Sequence, residues 1–343
     1  MKQTVATAWA LLLLLFLLPL LLAKGGGPAA EETPLPTGSL PLDRTVITPS
    51  PASSDSRISV RVDLGDGEIL TLPLDKYLWR VVAAEMPASF EPETLKAQAA
   101  AARTYTVSKM GRTVEGHPDA DVCTDITCCQ AYIDPQAASD NWGEQAELYT
   151  QKIASAVADT DGMIILYDGQ PIQAVFHSSS AGRTVDAVEV WGNAVPYLIS
   201  VDSPEGEEVP NWHSSVSFTP EDFKTRFLSE YPEADLSGDP ADWFAAPAFN
   251  SSGGVETITI GGVTVGGGTL RTLLSLRSAH FTVTPGAEEI VFSVTGYGHG
   301  VGMSQYGANA LAREGKTWEE IIKWYYTGVA IAPLETSAPG PTE

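Results

Sequence analysis

The sequence predicts an α+β fold: helices mixed with antiparallel hairpins in a single domain of two lobes, behind an N-terminal transmembrane anchor. Three observations predict it. Several segments place apolar residues at helical spacing. Others alternate with period two around short turns. No strand–helix–strand regularity orders them, and helices and hairpins simply intersperse.

The first element is an uncharged apolar run from Val5 to Ala23, with Lys2 before it and Lys24 and three glycines after it. Its length is close to the ~20 residues that span a bilayer as a helix. A cleaved signal peptide is the competing reading, with Ala23 as the cleavage position. Residues 1–24 are taken as the anchor, which predicts a single-pass protein of the cell membrane whose remainder lies outside the cytoplasm. Residues 25–56 are rich in Pro, Gly, Ser and Thr and read as a stalk. The folded domain is predicted at 57–332, and 333–343 is a polar tail.

Within that domain, Ile58, Val60 and Val62 alternate, a Gly-Asp-Gly turn occupies 65–67, and Ile69–Leu72 returns as a hairpin. Asp75 is a candidate cap for a helix carrying Tyr77, Leu78, Val81 and Val82, which Pro87 ends. Pro92 suits the first turn of a second helix that runs to about Lys109. A third helical pattern covers Glu144–Val157. Strands follow at Met163–Tyr167 and Ile172–His177, with Asp168-Gly169 at the turn. The stretch 203–250 is acidic and loop-like, with a short helix at 219–230. Hairpins are expected from Val255–Ile260 with Val263–Val265, and from His280–Val283 with Ile290–Val294. A last helix covers Thr317–Tyr326.

The chain has 20 basic and 43 acidic side chains, a formal net charge of −23. Nucleic acid, which calls for a basic face, is therefore not an expected partner. Anionic lipid head groups are disfavoured for the same reason.

Four groups of residues can carry chemistry. Glu85 falls on the apolar stripe of its helix, four after Val81 and seven after Leu78. Apolar surroundings disfavour the charged form and raise a carboxyl pKa, as a general acid requires. A helix-end glutamate at the rim of the core fits the same pattern. Lys96 and Arg103, seven apart, share one face of the next helix, where they could flank Glu85, grip a polar ligand or simply face solvent. His117, Cys123, Cys128 and Cys129 offer four ligands of the type that structural zinc takes. The alternatives are a Cys123–Cys129 disulfide or three buried thiols. Finally, His177 precedes three serines, and a glycine-rich segment from Gly296 to Gly307 holds His299, Gln305 and Tyr306 as candidate polar contacts. Those glycines allow tight turns and close backbone approach to a sugar or to another segment.

Several of these stretches resemble one family. Leu74-Asp75-Lys76-Tyr77-Leu78, Val82-Ala83-Ala84-Glu85-Met86-Pro87, and Leu95-Lys96-Ala97-Gln98-Ala99 running on to Ala102-Arg103-Thr104-Tyr105 are similar to the signature of the stage II sporulation protein D family, also called the amidase-enhancer domain. Phe176-His177-Ser178, Trp191-Gly192, Pro196-Tyr197-Leu198, Gln305-Tyr306-Gly307-Ala308 and Tyr325-Tyr326-Thr327-Gly328 match it as well. The resemblance covers about Ile58 to Ala332.

The resemblance implies a peptidoglycan lytic transglycosylase. Such an enzyme cuts the bond from N-acetylmuramic acid to N-acetylglucosamine in glycan strands and leaves 1,6-anhydro-muramic ends, here during septal wall remodelling and engulfment in sporulation. It implies Glu85 as the catalytic acid/base and places Lys96 and Arg103 in the same functional region; Lys96, Arg103, His177, His299, Gln305 and Tyr306 are taken as the substrate contacts. It implies structural zinc in those members carrying H-x5-C-x4-H-C, from which this chain departs only at Cys128. The implied partners are peptide-stripped glycan strands, an amidase and other membrane-anchored sporulation proteins. Two alternatives remain open: a non-catalytic protein that modulates an N-acetylmuramoyl-L-alanine amidase, and a muramidase that uses water.

Overall fold

The computed structural model describes residues 53–65 and 67–334. The anchor at 1–24 and most of the stalk lie outside the described residues. Among those described, no helix is long and apolar enough to cross a membrane. The α+β expectation is met, with two hydrophobic cores.

The first core begins earlier than the expected boundary at residue 57, because Asp55 is already fully buried. Strands β1 (Ser59–Asp63) and β2 (Ile69–Pro73) form the expected hairpin, and β3 (Val122–Cys123) adds to β1 in parallel. Helix α1 (Leu74–Glu85) follows without a side-chain cap; Asp75 lies in its first turn instead, so the capping expectation is corrected. Its Tyr77, Leu78, Val81 and Val82 are buried. Met86, the residue before Pro87, turns extended and ends the helix.

Helix α2 (Pro92–Lys109) has proline in its first turn, and its alanines 97 and 99–102 are all buried. The small side chains let neighbouring helices approach on several sides. Helix α3 (Pro135–Trp142), which the sequence did not suggest, packs on α4 (Ala146–Asp159), the expected third helix, and α4 is one such neighbour of α2. Strands β4 (Met163–Tyr167) and β5 (Gln170–Pro171) turn through Asp168 and Gly169, both at positive φ. The expected strand Ile172–His177 shrinks to β6 (Phe176–His177). The short helix α5 (Ala187–Trp191) comes next.

The second core is built from residues between Phe218 and Val294. Strand β7 (His213–Phe218) lies where a loop was expected, because its partner is distant in sequence. Thr219 caps α6 (Pro220–Glu230). Strands β8 (Ala248–Phe249), β9 (Val255–Ile260) and β10 (Val263–Gly266) form one sheet, and α7 (Gly267–Leu274) packs beside it. Strands β11 (Phe281–Pro285) and β12 (Ile290–Thr295) complete another with β7. Phe218, Phe223, Phe227 and Phe292 form its aromatic centre. The chain leaves and re-enters the first core at adjacent points, where the Gly296 N–H donates to the Trp212 carbonyl at 2.8 Å.

Back in the first core, β13 (Met303–Ser304) pairs with β6 in parallel. Helix α8 (Gln305–Arg313) is capped by Ser304, and α9 (Trp318–Tyr325) by a Thr317–Glu320 capping box. Strand β14 (Ala330–Pro333) closes the β4 sheet.

Candidate active site and metal centre

Glu85 ends α1 at the wall of a cavity of about 590 Å³. Among the described residues it is the only carboxylate lining that cavity. Burial pushes its carboxyl above the ordinary glutamate value, against two opposing groups, the Ala131 N–H and the Gln305 carboxamide. The Ala131 N–H donates to Glu85 Oε1 at 2.6 Å. That oxygen is thereby committed as an acceptor, which leaves Oε2 to carry the proton. Gln305 is buried at the start of α8, and its Nε2 has no close hydrogen-bond partner.

Ala131 follows directly on the cysteine segment. His117, Cys123, Cys128 and Cys129 offer four ligand atoms that lie within 4.8 Å of one another. His117 Nδ1 sits 3.1 Å from the Ala120 carbonyl, which fixes the ring and leaves Nε2 facing Cys129 Sγ at 3.4 Å. All three thiols are free in this structure. One imidazole nitrogen and three sulfurs converging in this way fit a tetrahedral zinc of the closed, structural type. Cys128 and Cys129 also line the Glu85 cavity.

The glycine segment is held by another stretch of chain. Gly296, Gly298, Gly300 and Gly302 all adopt positive φ. A Cβ at Gly302 would lie 2.1 Å from the Val175 carbonyl, and one at Gly298 would lie 2.7 Å from His177 Cβ. The loop is thus pressed onto 175–185, and only glycine permits it. Val185 and Ser179 hydrogen-bond across this contact to Gly300 and Tyr297.

The candidate substrate contacts separate into distinct groups. His299 lines the Glu85 cavity and also a second cavity beyond it. Burial and the Arg271 charge lower its pKa to about 4, so the ring is neutral near neutral pH. His177 does not reach either cavity. It is buried between the Val301 carbonyl and the Ser180 hydroxyl, at 3.2 and 2.8 Å, with its pKa lowered to about 3 by burial. Tyr306 packs edge-on against Phe90, ring centroids 4.9 Å apart, and so braces the loop after Glu85 rather than facing the cavity.

Lys96 and Arg103 do share a face of α2, but it is the face turned to the end of α4. Lys96 pairs with Glu93 and Asp159 at 2.9 and 3.1 Å. Arg103 is fully buried, with its guanidinium on Asp55 at 2.7–3.0 Å and on Thr160 and the carbonyls of Val157 and Met163. The expectation that these two cations flank Glu85 or grip a ligand is corrected. The α2 residues that line the cavity are Tyr105 and Lys109. Tyr105 also donates to the Cys128 carbonyl at 3.0 Å. Tyr105 already stood within the family signature, whereas Lys109 lies beyond it.

Another buried carboxylate, Glu205, was not foreseen. Its Oε1 accepts from the Ser180 N–H at 2.6 Å and from the Ser304 hydroxyl. A Cβ on Gly307 would fall 2.4 Å from its Oε2, so the glycine makes room for this strut. Glu205 ties the serine segment to the start of α8, and through it supports Gln305.

Comparison with known proteins agrees with this layout. The sequence signature described as Stage II sporulation protein matches residues 65–167, the region that holds Glu85 and the four metal-ligand candidates. Stage II sporulation protein D of Bacillus subtilis (strain 168) is 36% identical over 98% of this chain and 97% of its own length. The protein of the same name from Bacillus amyloliquefaciens is 34% identical over 91% of this chain and 83% of its own. The amidase enhancer of Bacillus subtilis (strain 168) is 29% identical over 73% of this chain, which spans 39% of that longer protein. The match runs through both cores and the whole Glu85 cavity, and the chain belongs to the stage II sporulation protein D family.

Proposed function

We propose that this chain is a peptidoglycan lytic transglycosylase that cleaves glycan strands to 1,6-anhydro-muramic ends, with Glu85 as its sole acid/base. The observation that carries the reading is the single carboxylate on the cavity wall. Hydrolytic glycosidases of the common kind need two, one to protonate the leaving oxygen and one to activate water or attack carbon. A lytic reaction needs one. Protonated Glu85 Oε2 donates to the glycosidic oxygen as positive charge develops on the sugar. The resulting carboxylate then takes the proton from the muramic 6-hydroxyl, which attacks its own C1. Having the nucleophile on the same sugar replaces a bimolecular step by an intramolecular one. Burial, which raises the Glu85 pKa, supports its starting this cycle protonated.

Zinc at His117, Cys123, Cys128 and Cys129 is part of this proposal. It supplies structure, holding the loop that presents the Ala131 N–H. The proposal also includes an anchor at Val5–Ala23, which would hold the domain outside the cytoplasm, and a role in wall remodelling during sporulation beside an amidase.

Digestion of purified peptide-free glycan strands tests the reaction. Mass spectrometry should find products lighter by one water than those of hydrolysis. Hydrolytic ends would replace this reading with a muramidase. A second reading rests on the relative named amidase enhancer: binding the wall or an amidase without catalysis. Intact strands after incubation, together with a rise in the rate of an added amidase, would favour it.

A further inference from the structure

Beyond Trp191 and His299, which line both cavities, lies a second cavity of about 530 Å³ on the side of the second core. Its walls offer donors from three places. Arg271 reaches it from α7, with Nε on the Arg277 carbonyl at 3.2 Å and no carboxylate partner among the described residues. The first turn of α7, from Gly266 to Thr269, opens on the same space with no side-chain cap on its N–H groups. At Gly268 even an added Cβ would meet nothing within 4 Å, so a ligand can come close to that turn. Ser179, from the segment under the glycine loop, also lines the cavity; it is 3% exposed and its hydroxyl has no hydrogen-bond partner.

The other charges there are accounted for. Arg183 pairs with Asp202. Glu189 accepts from the N–H and hydroxyl of Ser251 at 3.1 and 3.2 Å. Glu256 is exposed to solvent. Burial lowers the His280 pKa and favours its neutral ring. Arg271 is therefore the cation left for a ligand. A carboxylate would offer these donors two oxygens in one plane. A helix turn, a guanidinium and a hydroxyl from a separate segment call for oxygens spread in three dimensions, as on a tetrahedral phosphoryl group.

We propose that this cavity is a phosphate site, in which the first turn of α7, Arg271 and Ser179 hold a phosphate ester carried on the glycan strand. The two cavities meet at Trp191 and His299, so a strand held at Glu85 continues into this one. The strand-borne part rests on the glycan reading above; the phosphate site itself does not. A muramic acid esterified to phosphate at its 6-hydroxyl has lost the nucleophile of the lytic step. Seating that sugar in the far cavity keeps it off Glu85 and presents an unsubstituted neighbour to the acid. Phosphate on the strand thereby sets the register of cutting. A soluble phosphate ester is the other source of the same chemistry.

The test is binding to full-length Glu85→Gln protein, so that cleavage does not interfere. Four probes are titrated by calorimetry: inorganic phosphate, acetate as a planar anion, glycan strands bearing phosphodiester-linked polymer, and the same strands stripped of phosphate by hydrofluoric acid. Phosphate should bind and acetate should bind more weakly. Stripped strands should bind roughly ten- to hundred-fold more weakly than untreated ones, the loss of charge-assisted contacts. Adding Arg271→Gln should weaken phosphate by a similar factor and erase the difference between the two strands. Gly268→Asp does the same by another route, placing a carboxylate on the turn where there is room for it. An acid in a helix first turn favours the helix, so this variant should stay folded even if Arg271→Gln does not. No binding of phosphate, or phosphate bound equally by the parent and the folded variants, overturns the site. Acetate bound as tightly as phosphate overturns the tetrahedral ligand. Phosphate bound as expected with both strand preparations bound alike upholds the site and assigns it to a soluble ester, overturning the strand-borne part. Phosphate bound with neither strand bound removes the glycan reading and leaves the site standing.

Discussion

Ala131 donates its backbone N–H to Oε1 of Glu85 at 2.6 Å, two residues after Cys129. The metal-ligand segment and the candidate acid are therefore one mechanical unit. The donor stabilises the carboxylate form and holds down a pKa that burial raises. As a general acid Glu85 must be protonated, so activity should fall as pH rises through its elevated pKa. Replacing Ala131 with proline removes the donor and should push that alkaline limb to higher pH. Plots of log kcat/KM against pH for parent and Ala131→Pro check this.

Glu85→Gln keeps the acceptor for Ala131 but cannot exchange a proton. Cleavage should drop by ~10²–10⁴-fold, the usual worth of general acid/base help. Fold and glycan binding should survive. A folded variant that makes anhydro ends near the parent rate would eliminate Glu85 as the acid.

The same substitution should stabilise the protein at alkaline pH. A carboxyl whose folded pKa is raised contributes stability that is complete below its unfolded value and is lost as pH rises through its folded value. Once ionised, the parent carries a partly buried charge that Glu85→Gln lacks. The gain in melting temperature of Glu85→Gln over the parent should be larger at pH 8 than at pH 4, by differential scanning calorimetry.

The four converging ligands predict about one equivalent of zinc in protein purified without added metal, the number a closed four-ligand site holds. Cys123→Ser should lower both zinc content and melting temperature, since metal binding and folding are linked. Elemental analysis beside thermal melts reads both. Protein that is metal-free and equally stable would refute the site.

Arg103→Ala strands the buried Asp55 carboxylate. It should cost ~3–5 kcal/mol, the usual penalty for breaking a buried pair. Replacing Asp55 and Arg103 together by apolar residues should cost less. Urea titrations of the single and double variants measure both. Had Arg103 gripped the glycan, its loss would appear in KM with stability unchanged.

What the sequence revealed depended on how local each cause was. Pro92 and Thr317 start their helices through their own chemistry, and both boundaries fell where expected. The apolar spacing of Val81 and Leu78 put Glu85 on the buried side of α1, and the structure half-buries it at a cavity wall. The seven-residue spacing of Lys96 and Arg103 gave a shared face but not its neighbour, which turned out to be the end of α4. The expected strand from Ile172 broke because the Val175 N–H turns back to the Gln173 carbonyl. Helix α8 went unseen because Gly307 weakens its propensity, and Gly307 is there to clear Glu205 and Tyr325. The Ala131 donor is a backbone group, invisible to any pattern of side chains.

The single hydrogen bond between Gly296 and Trp212 has an architectural consequence. The second core leaves the chain and rejoins it at one spot, in the manner of a cassette plugged into a host. Glu85, Gln305 and the metal loop belong to the host; Arg271 and the open turn of α7 belong to the cassette. The wall that carries Glu85 and the wall that carries Arg271 are thereby written on separate stretches of the gene. Substitutions confined to the cassette can thus drift without displacing Glu85.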